Sequence, residues 1–204
     1  MDYADIIKEI RKDINDPEGN RWSDLEIQSY IDLGQKKISI ASLSLEAELD
    51  YIGDSSKGAY VLPADFLEFT AFLLPNGIPI DLISAETLNA DNTAKFLYDQ
   101  TSQTPVALCL DFGSWDEIRF YPSPVTGVAI GSLKYKRLSV DGVIEIDNLD
   151  ALVNYSLFRM YAKEKDKKSA QRAGEFLDQF DKIERRERVT RTGTYRRIVQ
   201  GSHY

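Results

Sequence analysis

Seven basic side chains crowd the stretch from Lys182 to Tyr204: Lys182, Arg185, Arg186, Arg188, Arg191, Arg196 and Arg197, against only Glu184 and Glu187. That stretch is about +5 in a chain of 204 residues whose net charge is −8, which leaves about −13 on residues 1–181. Arginine carries its charge at any working pH and pairs with carboxylate or phosphate through a planar fork. The stretch is also rich in Thr, Ser and Gly, so it cannot bury enough apolar surface to fold alone. It calls for an anionic partner, which could be nucleic acid, a membrane surface or an acidic protein, a second copy of the chain included.

Covalent chemistry lacks its parts. The one histidine, His203, stands next to the last residue, so a Ser-His-Asp or Cys-His site has no positioned base. The same inventory excludes a zinc site built on His and Cys. The one cysteine, Cys109, sits in the apolar run Val106-Ala-Leu-Cys-Leu and reads as a buried strand residue rather than a reactive thiol. Asp111-Phe112-Gly113 has the letters of a kinase magnesium loop, without the His-Arg-Asp or Gly-rich loops that would give them meaning. Carboxylate neighbours such as Asp50 with Asp54 and Asp116 with Glu117 fall in turn-like sequence, where Asp is favoured for local hydrogen bonding. No phosphate-cradling glycine fingerprint is present, so neither a cofactor nor a metal is expected.

At 43% apolar residues a packed core is within reach of one domain or two closely joined ones. The opening MDYADIIKEI has neither a basic region nor an unbroken apolar run, so it does not read as a signal peptide, and no window resembles a membrane span. The chain reads as soluble and made in a reducing cytoplasm.

Stepwise spacing of Ile6, Ile7, Ile10 and Ile14 predicts a one-faced helix over residues 3–14, stopped by Asp16-Pro17-Glu18-Gly19-Asn20. A second helix starts at Ser23 or Asp24: Ser23 is the N-cap, Glu26 closes a capping box, and Trp22 staples onto Ile27. Ile27, Tyr30, Ile31, Ile38 and Ala41 continue its face to about Leu49, with Gly34 marking a close helix contact. Short β-rich runs follow: Phe66 to Leu74 and Ile78 to Ile83 around a Pro75-Asn76-Gly77 hairpin, then Val106 to Phe112, Glu117 to Tyr121 and Val128 to Leu138. A short helix capped by Ser84 is expected between them. Helicity returns after Asn148 or Asp150 with Leu149, Leu152, Tyr155, Phe158, Arg159 and Ala162 on one face. After a charged corner at Lys163 to Lys168, a last helix carries Ala170, Ala173, Phe176, Leu177, Phe180 and Ile183. Tyr155, Phe158, Tyr161, Phe176 and Phe180 read as core or subunit interface rather than a base-stacking platform.

The fold class is therefore α+β: a helical bundle from residues 1–50 and 148–187, an inserted small antiparallel β-domain of four to six strands over 51–147, and an extended basic tail over 188–204.

The ordered features resemble the head-to-tail adaptor, or connector, proteins of tailed bacteriophages, chiefly short-tailed ones. The resemblance runs through Arg21-Trp22-Ser23-Asp24-Leu25-Glu26-Ile27 into Tyr30-Ile31-Asp32, then Val61-Leu62-Pro63-Ala64-Asp65-Phe66 and Ile118-Arg119-Phe120-Tyr121-Pro122. It continues with Leu152 to Lys163 and the Ala170, Ala173, Phe176, Phe180 spacing. What it implies is a non-enzymatic structural virion protein, found in the host cytoplasm during assembly. It would form a ring of usually twelve copies beneath the portal protein, carry a downstream tail or nozzle protein, and contact no membrane. Double-stranded DNA would pass through the lumen without specific binding, and an acidic body suits that, because it repels duplex phosphate. The tail residues Arg188, Arg191, Tyr195, Arg196, Arg197 and Tyr204 are the expected contacts to the portal or a neighbouring copy.

Two other readings stand beside this one, the first resting on the tail and the second on carboxylates. A regulatory or packaging protein would grip phosphate with the arginine-rich tail and show steep salt dependence. A glycan hydrolase would need an acid and a partner carboxylate facing one cleft.

Overall fold

The computed structural model describes residues 2–83, 101–102, 104–110 and 116–200, the side chains at 101–102 and 190–200 excepted. In chain order the elements are α1 (Tyr3–Ile14), α2 (Asp24–Ser42), β1 (Glu46–Ile52), β2 (Tyr60–Val61), β3 (Phe66–Leu73), β4 (Asp81–Ile83), β5 (Thr101–Ser102), β6 (Ala107–Leu110), β7 (Glu117–Tyr121), β8 (Ser123–Pro124), β9 (Ala129–Arg137), α3 (Leu149–Lys163) and α4 (Lys167–Gln200). Two helices thus precede and two follow an inserted β-region, as the sequence predicts. The expected helix at Ser84 and the Asp111-Phe112-Gly113 segment lie outside the described residues.

The chain divides into two compact units, Met1–Leu45 with Arg137–Tyr204, and Glu46–Lys136. The sequence reading puts these boundaries at 51 and 147, and local chemistry accounts for both shifts. α2 stops at Ser42, where Leu43 turns into the left-handed region at φ 46° and its N–H still bonds Ser39 O. Beyond it, Glu46-Ala-Glu-Leu-Asp-Tyr-Ile alternates with period two and forms β1 instead of continuing the helix to Leu49. At the other boundary, residues 137–148 are held to α2 by the buried amide of Gln35. Its Nε2 donates to Val143 O at 2.9 Å, and its Oε1 accepts from Glu145 N at 2.8 Å and Ile146 N at 3.2 Å. Arg137 forks onto Glu145, which also accepts Val140 N at 2.8 Å. The Arg137 bonds, against the opposing effect of burial, hold the Glu145 carboxyl below its ordinary range.

In the helical unit α3 is the central element. Ala151, Leu152, Val153, Tyr155, Ser156, Leu157, Met160 and Tyr161 are all buried, which wraps most of its circumference. The single face expected from spacing is corrected here: Leu149, Arg159 and Ala162 are exposed. One core joins Ile6, Ile7, Ile10, Trp22, Ile27 and Ile31 to Leu152, Leu157, Met160 and Ala173. A second joins Ile38, Ile146, Ala151, Tyr155 and Phe180. α4 contributes Ser169, Ala173 and Phe180 as buried residues, whereas Ala170 faces solvent.

The β-unit has sheets ordered β1-β9-β3, β2-β7-β6-β4 and β5-β8. The Pro75-Asn76-Gly77 hairpin forms, with Gly77 at φ 80° and Gly77 N bonding Leu74 O at 2.8 Å. Its two legs then part: β3 joins β9, while β4 runs parallel to β6, as β5 does to β8. Parallel pairs inside a mostly antiparallel unit were not expected from the hairpin signal, which specifies only the turn. One core draws on both larger sheets, with Tyr51, Tyr60, Phe72 and Phe120 in edge-on or tilted contact at centroid distances of 4.9–6.1 Å. Cys109 lies wholly buried in β6, as its apolar setting predicts.

Candidate functional site

The sequence singles out the basic C-terminal residues, and the structure puts them on α4. The helix is capped by Asp166, whose carboxylate accepts Lys168 N at 3.0 Å and Ser169 N at 2.9 Å. The Ser169 bonds come first among the causes that keep this carboxyl below its ordinary range. Antiparallel to α3, the helix is pinned by Tyr161 stacking on Phe176 at 5.7 Å and by Tyr155 against Phe180 at 4.9 Å. Further along, Asn148 Nδ2 donates to Glu187 Oε1 at 3.3 Å, at the very start of α3. The backbone then continues as helix to Gln200, thirteen residues past Glu187 and about 20 Å in length.

An extended tail from Arg188 is therefore replaced by helix through Gln200. Arg188 pairs within the helix with Glu184 at 2.6 Å. Arg188, Arg191 and Tyr195 follow at steps of three and four, the spacing of one helical face, with Arg196 and Arg197 directly after Tyr195. Tyr204 lies outside the described residues.

Sequence reasoning missed the groups that aim this helix. Arg21 bonds Glu164 at 2.5 Å in the α3–α4 corner, and Ser169 Oγ donates to the same carboxylate at 2.5 Å. Lys163 bonds Glu26 and lies 5.5 Å from the Trp22 ring centroid. Glu26 is thus not the capping-box partner it was expected to be: Ser23 Oγ accepts Glu26 N at 3.2 Å, but the Glu26 carboxylate faces Lys163 and Tyr30 Oη. The Lys163 bond holds the Glu26 carboxyl down and pushes the Lys163 ammonium up. The reciprocal box is at α1 instead, between Asp2 and Asp5. Ahead of α2, Asp16 accepts the backbone N–H groups of Asn20, Arg21 and Trp22 at 3.0–3.3 Å, and Arg11 spans Asp16, Trp22 O and Asp24. Burial would raise the Asp16 carboxyl, but these donors and the Arg11 charge hold it low.

Among the described residues several candidate carboxylates already have partners. An open groove of about 900 Å³ runs along α1, but of its carboxylates Asp2 caps the helix, Glu9 pairs with Lys12 at 2.9 Å and Asp24 with Arg11 at 2.5 Å. Asp54 is occupied by Ser56 N and Oγ. Among the described residues no cluster of His, Cys, Asp or Glu is suited to a metal ion, and no helix is long and apolar enough to cross a membrane.

The chain is thus a helical body interrupted by a β-insert and ended by a long basic helix. The family model described as SU10 adaptor protein matches residues 1–199, and the chain belongs to that family, the head-to-tail adaptors of tailed phages. No curated protein matches the chain. As an adaptor it is a structural virion protein that joins capsid to tail at the portal vertex. Its partners are the portal and tail components among which an oligomeric assembly forms.

Proposed function

We propose that the chain works as one of about twelve copies in a ring beneath the portal, that DNA passes through the ring without specific binding, and that the part of α4 beyond Glu187 is its docking element. The observation that carries the reading is the helix itself: α4 is tied to its own body as far as Glu187 and then runs on through Arg188, Arg191, Arg196 and Arg197 with no acidic residue. Thr190, Thr192, Gly193 and Thr194 are poor helix formers, so this continuation of α4 gains from a partner surface. Subunits that join head to tail need two different faces, and a helical body with an inserted domain supplies them.

Mass measurement of the purified chain, alone and with purified portal, tests this reading. A multiple of the subunit mass near twelve, alone or on the portal, supports it. A monomer that ignores the portal overturns it. Tight duplex binding with a steep salt slope would instead make the arginines a phosphate grip.

A further inference from the structure

We propose that the basic end of α4 from one copy docks on the β-unit of the next copy, with the outward face of β1 as its seat; this rests on the ring reading above. Charge is divided sharply between the two units. Residues 46–136 hold 13 acidic and 5 basic side chains, a net −8, which is the whole charge of the chain. The helical unit holds 20 of each and is neutral, and without its last segment, Arg188 to Tyr204, it would be about −4. The chain thus carries one strongly acidic unit and one basic end, which are complementary in charge between copies.

Strand β1 is where the acidic unit offers a surface. It stands at the edge of the order β1-β9-β3, with no strand on its outer side among the described residues. Glu46, Glu48, Asp50 and Ile52 alternate with Ala47, Leu49 and Tyr51, and Tyr51 is the buried member. The outward row is exposed throughout, Ile52 to 67%. Glu46 bonds Lys136 and Glu48 accepts Ser132 Oγ at 2.5 Å, each through Oε1, and Lys134 stands opposite Glu48 on the same face, so what the row offers is Asp50 and the second oxygens of Glu46 and Glu48. A guanidinium can add to the second oxygen of such a carboxylate. Arg188 and Arg191 stand three residues apart, about 4.5 Å along the helix axis, against roughly 6.8 Å between alternate strand residues, a difference that the long stem of an arginine can take up. Val189, 68% exposed, supplies an apolar counterpart for Ile52. Because the α4 end and β1 are different surfaces, the contact is heterologous and repeats from copy to copy until a ring closes.

Charge reversal in two places tests the strap. One variant carries Arg188→Glu and Arg191→Glu, the other Glu48→Arg and Asp50→Arg, and light scattering reads the mass of each at low and high salt. Each variant alone is expected to need at least about tenfold more protein to assemble, and an equimolar mixture to recover the wild-type mass, because each variant then supplies the complement of the other. High salt should weaken the wild-type assembly in the same direction. Assembly unchanged in both variants overturns the strap and leaves the ring reading standing. Lost assembly that mixing cannot restore overturns it too. A wild-type chain that stays monomeric alone, yet loses portal binding only in the α4 variant, overturns the strap and gives the basic end to the portal.

Discussion

Gly34 of α2 lies flat against Tyr155 of α3: a Cβ at Gly34 would sit 3.3 Å from Tyr155 Cδ1 and 3.4 Å from its Cβ. Tyr155 is itself wedged against Phe158 and Phe180, so it has little room to yield. Gly34→Ala is expected to gain about 1 kcal/mol of helix propensity and lose a similar amount at the ring, leaving stability within about 1 kcal/mol of wild type. Gly34→Leu should cost about 1–3 kcal/mol by overpacking. Urea unfolding of the two variants checks both.

At the start of α2, Ser23→Ala should cost about 0.5–2 kcal/mol, because the hydroxyl satisfies the Glu26 amide. Trp22→Ala should cost more, about 3–5 kcal/mol, since the ring is buried among Ile27, Leu157 and Met160 rather than merely stapled at the surface. Equal losses in thermal unfolding would show that Trp22 acts only as a local staple.

Acid should loosen the helical unit. Glu26, Glu145 and Asp16 all have carboxyls held below their ordinary range in the folded chain. The unfolded chain therefore binds protons first as the pH falls, so their stabilisation is complete above the unfolded values near 4 and is lost as pH drops through the folded ones. Unfolding midpoints at neutral pH and near pH 3 should differ less for Glu145→Gln than for wild type, because the ion pair with Arg137 and its titrating carboxyl are then absent at both.

In the β-unit, Gly131 has φ 143° and a Cβ there would meet Leu73 O at 2.1 Å. Gly131→Ala should cost more than about 3 kcal/mol, since both the backbone and the β3 carbonyl oppose it. The loss should appear in hydrogen exchange of β3 and β9 before that of α3.

Truncation after Glu187 should leave the body folded, because the described buried residues of α4 end at Phe180 and the Asn148 tie is retained. The melting temperature is expected to stay within a few degrees of wild type, by the size scaling of about 2–4 °C per kcal/mol. Attachment to the portal and neighbouring copies should be lost or severely weakened.

Much of this protein is local, and local signals are written in consecutive residues. The isoleucine spacing specifies α1 over residues 3–14, the Ser23 hydroxyl and its acidic neighbours specify where α2 begins, and Asn-Gly specifies the turn at Gly77, because each depends on groups a few bonds apart. The seven basic residues near the C-terminus set that end apart by charge alone. Tertiary structure decided the rest. Glu26 reaches Lys163 rather than its own cap, since an ion pair across 137 positions competes with a local bond that only spacing suggests. Gln35, polar and buried, is explained only by the irregular segment 143–146 that comes to bond it. α3 is buried nearly all round because α1, α2 and α4 surround it, a fact its own periodicity cannot carry. And α4 runs straight through the basic stretch that composition alone reads as an unfolded tail, because the helix is already nucleated and pinned on α3 as far as Glu187 and each further residue adds to it without a new nucleus.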